Sequence, residues 1–131
     1  MKEKLNKYSN NITSQHGEDG ILEYIISSLG NQIIKTCCEF GAWDGKFASN
    51  TYNLWKNHNW KAILIEGDKE KYNDLSVNTE NFDNVDSVLS YVQSRKSNSL
   101  DDIFLKKNLA KEIGLLSIDI DSFDYHIWKN L

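Results

Sequence analysis

Several features that mark particular classes of protein are missing from this chain of 131 residues. Basic residues are not in excess, since the net charge is −4 and the pI is near 5.3, so the chain lacks the positive footprint of a nucleic-acid-binding protein. No apolar run approaches the roughly 18–20 residues of a membrane span, and residues 1–4 lead into no signal-peptide core. The sequence therefore predicts a cytoplasmic protein with no nucleic-acid and no membrane partner. Proline is absent as well, and no functional account of that absence follows.

Cysteine is scarce, and the two cysteines are neighbours, Cys37 and Cys38, in a stretch typical of a buried strand. Because adjacent residues of a strand point to opposite faces, a disulfide between them is not expected. A redox pair is one interpretation, and two small buried apolar residues are the other. We favour the second, which fits a reducing cytoplasm.

Apolar runs alternate with helical patterns along the chain, and four of these runs predict strands. The alternating β/α order predicts a parallel sheet joined by right-handed crossovers, with helices on both faces. The expected fold is therefore a Rossmann-like three-layer α/β/α domain over residues 14–131, truncated after about the fourth strand. Residues 1–13 are polar and are expected to form a flexible N-terminal segment. The predicted strands lie at about 33–39, 60–65, 85–92 and 113–118.

The stretch 37–50 carries the first functional signal. Its apolar strand ends in Glu39, and a short turn bracketed by Gly41 and Gly45 leads into a helical pattern. A strand, glycine turn and helix in this order bring backbone N–H groups and a helix N-terminus against a nucleotide-like ligand. Glu39, at the carboxyl end of its strand, is expected to face the crevice where such sheets bind ligands.

Acidic residues also end the second and fourth predicted strands. Glu66 follows 60–65, about 20 residues beyond the glycine turn, where a carboxylate grips a ribose diol in such folds. A surface acid at a strand end is the alternative interpretation, and position favours the ribose. Asp119 and Asp121 follow the fourth strand, so acids from three strands are expected at one edge of the sheet.

Residues 14–20, read Ser-Gln-His-Gly-Glu-Asp-Gly, form a dense polar cluster before an apolar helix. A helix-capping turn, with Asp19 or Ser14 as the cap, is one interpretation. Capping needs a single residue, however, and five polar side chains stand here. A functional role is therefore the favoured interpretation.

The motifs together resemble a known family. The stretch from Glu39 to Gly45 resembles the first motif of class I S-adenosylmethionine-dependent methyltransferases, acid-x-Gly-x-Gly-x-Gly, although Trp43 stands at the middle glycine. FkbM-type methyltransferases share that kind of departure, and the 14–20 segment is similar to an uncharacterised FkbM-like branch. Further matches are Ile-Glu-Gly-Asp at 65–68, Leu-Asp-Asp-Ile at 100–103 and Ser-Ile-Asp-Ile-Asp at 117–121.

The resemblance implies S-adenosyl-L-methionine as the cofactor and O-methyl transfer to a hydroxyl of a sugar or small metabolite. It implies that the turn through Gly41, Ala42 and Gly45 lies against the methionine part of the cofactor. It places Glu66 on the ribose and Asp119 near the cofactor's amino group or the acceptor, while Glu39 completes the cofactor-binding set.

Proton removal from a hydroxyl acceptor needs a base, and the candidates are Asp121, His126 and His16. His126 is as readily explained by an exposed position on the last helix. Asp119 and Asp121 could hold a divalent ion as a pair, but no histidine or third carboxylate stands at matching spacing, so no metal is predicted.

Two alternatives to an active methyltransferase remain. One is a catalytically silent Rossmann-like binding or assembly module. The other is an NAD-type oxidoreductase domain, which the lack of the third glycine of Gly-x-Gly-x-x-Gly disfavours. In the family's strand order the fourth strand is an apolar edge, so the chain is expected to be a fragment of a longer protein or to form a homo-oligomer through that edge.

Overall fold

The computed structural model describes residues 4–93, 98–109, 112–120 and 123–130. Its centre is a four-stranded sheet in the order β3-β2-β1-β4, and every neighbouring pair is parallel. Helices flank the sheet on both faces, so the predicted α/β, Rossmann-like fold class is confirmed. The strands are β1 Thr36–Phe40, β2 Lys61–Glu66, β3 Val85–Leu89 and β4 Leu115–Ile118.

The described residues form five α-helices, of which α1 precedes the sheet and the others connect or follow its strands, and polar side chains cap the start of two of them. Asp68 Oδ1 accepts the N–H groups of Glu70 and Lys71 at 2.9 and 3.0 Å, and Ser99 Oγ accepts that of Asp102 at 3.3 Å. The helices are α1 Glu18–Leu29, α2 Tyr52–Asn57, α3 Lys69–Thr79, α4 Leu100–Lys106 and α5 Asp124–Trp128, with short 3₁₀ turns at Leu5–Tyr8 and Gly30–Gln32.

Alternate residues along the strands pack into two separate hydrophobic cores, one on each face of the sheet. Helices α2 and α3 cover one face, and α4 and α5 cover the other. The central strand β2 is buried on both sides from Ala62 to Glu66, as expected of a parallel sheet between helical layers. Val77 of α3 lies outside this core, with its side chain 65% exposed. The buried residues of the first core include Cys37, Leu54, Trp55, Ala62, Leu64 and Leu75, and those of the second include Cys38, Phe40, Ile63, Ile65, Ile103 and Ile127.

The two cysteines are confirmed as buried free thiols that serve opposite cores. Burial, together with the nearby charge of Glu39, raises the pKa of Cys37 to about 12. Burial and the neighbouring Cys37 raise the pKa of Cys38 as well. Both therefore act as small apolar residues, because the reactive thiolate form is suppressed.

Residues 4–13, the part of the N-terminal segment that the structure describes, contact the rest of the domain. The Tyr8 ring stacks on Tyr24 of α1 with the ring centroids 3.6 Å apart. Asn10 accepts the N–H of Gly20 at 2.9 Å, and the Thr13 hydroxyl donates to the carbonyl of Ser49 at 3.1 Å.

The carboxyl ends of the strands are level with one another. Phe40 of β1 pairs with Ile65 of β2 on one side and with Ile118 of β4 on the other. The segments that follow these strands therefore meet at one edge of the sheet. Among the described residues, no helix is long and apolar enough to cross a membrane.

Candidate functional site

A cavity of about 580 Å³ opens at the carboxyl edge of the sheet. Its size is within the usual range of small-molecule sites, and this edge is where α/β sheets bind ligands. Segments that follow all four strands contribute to its walls. They supply Glu39, Gly41, Ala42, Trp43, Glu66, Gly67, Tyr91, Asp119 and Phe123, and Gln15 and Lys71 complete them.

Glu66 ends β2 and is buried, yet it lines the cavity. Its Oε2 accepts the backbone N–H of Trp43 and its Oε1 that of Asp68, each at 2.8 Å. A carboxylate offers about four acceptor positions, so about two remain for a ligand. The side chain is thus fixed in place by the turn after β1 and can still accept a pair of hydroxyl groups.

Glu39 belongs to β1, and its carboxylate lies beside the start of α2. Its Oε2 accepts the hydroxyls of Ser49 and Thr51 at 2.6 and 2.7 Å, and its Oε1 accepts the N–H of Asn50 at 2.9 Å. Ser49 Oγ in turn accepts the N–H of Tyr52, the first residue of α2, at 3.0 Å. Glu39 therefore places a negative charge beside the N-terminus of α2, where the helix dipole favours it.

Gly41 is required by the packing between strand ends. Its φ is +77°, and a Cβ at this position would overlap the carbonyl oxygen of Asp119. The N–H groups of Gly41 and Ala42 both donate to the carbonyl of Ile65, at 3.0 and 3.2 Å. The glycine thus lets the chain leave β1 while in contact with both neighbouring strands, and it lines the cavity as well.

Gly45 was grouped with the cofactor-binding residues, but it lies outside the cavity wall. Its φ is +82°, and a Cβ there would come within 2.8 Å of Leu75 Cδ1 on α3. Its role in the structure is to let the turn close on the first core. Ala42, by contrast, is buried and lines the cavity.

The structure separates the candidate bases. Asp121 falls outside the described residues, and Asp119, which was predicted to bind the cofactor, is exposed and lines the cavity. His126 is exposed on α5 and its ring contacts Phe123 and Tyr125; it is not among the cavity residues. His16 is exposed, and its backbone N–H donates to Oε2 of Glu18 at 2.7 Å. It does not line the cavity either.

The 14–20 segment is held together by Asp19, whose side chain turns inward and is only 3% exposed. Asp19 Oδ2 accepts the N–H groups of Ile12, Thr13 and Ser14 at 2.7–2.8 Å and the Ser14 hydroxyl at 2.8 Å. Burial alone would raise the pKa of Asp19, but the hydrogen bonds from Ser14, Thr13 and Ile12 outweigh it and lower the pKa. Ser14 Oγ also accepts the N–H of Asp19 in the first turn of α1 at 3.0 Å, although the N-cap residue itself is Gly17 rather than Ser14 or Asp19.

Four exposed aromatic side chains around the cavity were not foreseen as site residues. We call Trp43, Phe47, Tyr91 and Phe123 the aromatic rim; their exposed fractions are 44–67%. Phe47 meets Trp43 edge to face, with centroids 5.3 Å apart, and Lys71 Nζ lies 4.5 Å from the centre of the Trp43 ring. Tyr91 and Phe123 come shortly after β3 and β4, so the positional rule that identified Glu66 would also have indicated them.

Acidic groups dominate the charge of the site. Glu39, Glu66 and Asp119 line the cavity, and the one basic residue among its described lining residues is Lys71. The described residues contain no group of three side chains suited to hold a metal ion. The site therefore favours a neutral or cationic ligand with hydroxyl groups and a flat ring that can stack on the rim.

The resemblance to methyltransferases rests on the sequence motifs alone. Comparisons of the chain with models of known protein families, with curated proteins and with solved structures find no significant match.

Proposed function

We propose that this domain binds S-adenosyl-L-methionine and takes part in methyl transfer to a hydroxyl group. The observation that carries the proposal is Glu66, a buried carboxylate fixed by two backbone N–H groups at the end of β2, on the wall of a cavity of about 580 Å³. Its remaining acceptor positions suit the two adjacent hydroxyls of a ribose.

The charge of the cavity supports this cofactor over a dinucleotide. S-adenosyl-L-methionine supplies an electrophilic methyl group on a positively charged sulfur, and it also carries an ammonium group. Three carboxylates against one lysine line the cavity. Opposite charges attract within the low-dielectric walls of a cleft, so this balance favours a cation.

The position of Glu39 argues against an NAD-type ligand. In dinucleotide-binding domains the pyrophosphate lies at the N-terminus of the helix that follows β1. Here the Glu39 carboxylate already accepts the Asn50 N–H and the two hydroxyls of Ser49 and Thr51 at that point. A second anion there would meet a like charge.

Methyl transfer requires little from the protein beyond alignment of the acceptor, with a base for a hydroxyl acceptor. Glu66 and the turn after β1 would hold the cofactor, and the rim would exclude water and orient flat groups. Asp119, which the resemblance puts near the cofactor's amino group or the acceptor, lines the cavity and would serve as the base in place of Asp121, His16 and His126. Its carboxylate would receive the acceptor proton, while the bound cofactor would supply the methyl group to the acceptor oxygen, with cleavage of its sulfur–methyl bond, and leave as S-adenosylhomocysteine.

A catalytically silent binding module is the second candidate. It is favoured by the placement of His16 and His126, which are exposed and do not line the cavity. Such a module would bind the cofactor without transferring its methyl group.

Calorimetric titration of the purified chain tests the proposal. S-adenosylmethionine and S-adenosylhomocysteine are expected to bind, and NAD is not. Binding of NAD in preference to both would contradict the proposal. Binding of S-adenosylmethionine without methyl transfer to any of a panel of alcohols would support the silent module.

A further inference from the structure

One face of helix α3 packs against the turn that follows β1. Leu75 lies against the second glycine of this turn, and the Asn78 side-chain amide donates to the carbonyl of Asp44 at 2.9 Å. Lys71 stands four residues before Leu75 and seven before Asn78, and residues at these spacings share a helix face. The Lys71 ammonium group therefore reaches the same turn, where it lies 4.5 Å from the centre of the Trp43 ring.

Trp43 is held in a fixed position, although its side chain is 44% exposed and lines the cavity. Its φ of +49° lies in the left-handed region, which a bulky residue rarely adopts. The hydrogen bond from its N–H to Glu66 holds the backbone there, and Phe47 contacts the ring. A strained conformation persists only where the surrounding structure imposes it, and such residues cluster at functional sites. The Trp43 ring is therefore a prearranged surface of the cavity.

The position of Lys71 sets it apart from the rest of the cavity wall. It is the one basic residue among the described lining residues, beside the carboxylates of Glu39, Glu66 and Asp119. The face of an aromatic ring attracts a cation, and tryptophan does so most strongly. In this structure the cation at the Trp43 ring is the ammonium group of Lys71.

We propose that Lys71 is a specificity-determining residue that competes with cationic ligands for the Trp43 ring. A positively charged ligand must displace the ammonium group to reach the ring, whereas a neutral ligand of the same shape gains nothing there to compete for. The choice of S-adenosylmethionine as the cationic ligand rests on the proposed function. The competition itself rests on the contact between Lys71 and Trp43.

This competition makes the cavity selective among cations. A cleft lined by acids concentrates small cations of every kind through its field. A simple amine or metal ion has only its charge with which to displace Lys71. A ligand that also places hydroxyl groups on Glu66 gains hydrogen bonds in addition, so it overcomes the competitor more readily.

Calorimetry with two matched ligands tests the inference. S-adenosylmethionine carries a positively charged sulfur, and S-adenosylhomocysteine, which lacks the methyl group, carries a neutral one. Lys71→Met is expected to raise the affinity for the charged ligand relative to the neutral one by about two- to fivefold. Lys71→Arg is expected to keep the parent ratio, because a guanidinium group also stacks on aromatic rings. An unchanged ratio in Lys71→Met would overturn the proposal.

Further variants separate the ring from the general effect of a lost positive charge. Lys69→Met removes an exposed lysine of the same helix that does not line the cavity, and it is expected to keep the parent ratio. In a Trp43→Leu background there is no ring to compete for, so Lys71→Met is expected to change the ratio by less than about twofold. The same rise with and without the Trp43 ring would overturn the competition.

Titration with trimethylsulfonium chloride separates this inference from the proposed function. The indole N–H signal of Trp43, identified by its absence from the Trp43→Leu spectrum, is expected to shift more in Lys71→Met than in the parent. Neutral dimethyl sulfoxide is expected to shift it equally in both. This result without binding of either cofactor compound would overturn the cofactor function and leave the competition supported. Cofactor binding with equal trimethylsulfonium shifts in both chains would overturn the competition alone.

Discussion

The backbone N–H of Trp43 donates a 2.8 Å hydrogen bond to Oε2 of Glu66. This contact joins the turn after the first strand to the end of the second. Because Oε1 of the same carboxylate accepts the N–H of Asp68, Glu66 also fixes the start of α3. One side chain therefore sets the shape of the cavity and presents acceptors to it.

Replacement of Glu66 by alanine tests both roles. We expect at least tenfold weaker binding of S-adenosylhomocysteine, because each hydrogen bond to a charged acceptor contributes about 1.5–3 kcal/mol. Calorimetry measures the affinity, and urea unfolding reports the accompanying loss of stability. Asp74→Ala, which removes an exposed acid from α3, serves as the control. Unchanged affinity in Glu66→Ala would show that the ribose role is wrong.

Much of the fold was predictable because the local patterns of strands and helix caps agree with the alternating β/α order of the whole chain. Apolar runs that end in Glu39 and Glu66 identify buried parallel strands, and Asp68 stands where a helix needs a cap. The sheet order follows from the β/α alternation and the family resemblance. The ends of the strands were predicted less accurately. The sequence predicts a third strand to residue 92, whereas β3 ends at Leu89.

The aromatic rim could not be predicted from periodicity. Phe47 stands just after the glycine turn, where the apolar pattern gives no sign that its side chain is exposed. In the structure its N–H donates to Asp44 Oδ1 at 2.7 Å, and its side chain is 61% exposed. Asp19 shows the converse, since a polar cluster that suggested a ligand proved to hold its own backbone.

A pair of glycine variants tests the packing role of Gly41. Gly30→Ala places a Cβ in open space, so its cost is only the strain of a positive φ, about 1–3 kcal/mol. Gly41→Ala carries similar strain and also forces the new Cβ against the Asp119 carbonyl. We therefore expect Gly41→Ala to lower the free energy of unfolding more than Gly30→Ala, as measured in urea. Equal losses would mean that β1 and β4 separate there without cost.

Asp19 is expected to make stability depend on pH. Its pKa is lower in the folded chain than its ordinary value of 3.8, so the folded state binds fewer protons at this group than the unfolded state. Its contribution is therefore complete well above pH 3.8 and is lost as the pH falls through the lower folded pKa.

The Asp19→Ala variant checks this. At pH 7 it should lose at least about 2 kcal/mol of unfolding free energy, since buried backbone donors lose a charged acceptor. Near pH 3 the difference from the parent should shrink. Asp74→Ala provides the control, with a small difference at both pH values. A pH-independent loss in Asp19→Ala would contradict the ionised, hydrogen-bonded state of this side chain.

The two edges of the sheet differ in their protection against association. Within the described part of the chain, β3 pairs with β2 alone and β4 with β1 alone, so each strand has one unpaired side. The β3 edge carries Asp86, which forms an ion pair with Lys61 at 3.3 Å. The β4 edge, Leu115–Ile118, has no charged residue. Charges on an edge strand discourage pairing with another chain, so β4 is the edge more prone to association.

We therefore expect this chain to self-associate through β4 as its concentration rises. Sedimentation should show a concentration-dependent dimer or larger species. Amide exchange should slow along Leu115–Ile118 on association, because outward N–H groups gain partners, while Val85–Leu89 provides the internal control. A monomer at all concentrations, with β4 already strongly protected, would mean that another part of the chain covers this edge. Equal protection of both edges on association would instead place the contact elsewhere, because only the uncharged edge is expected to pair.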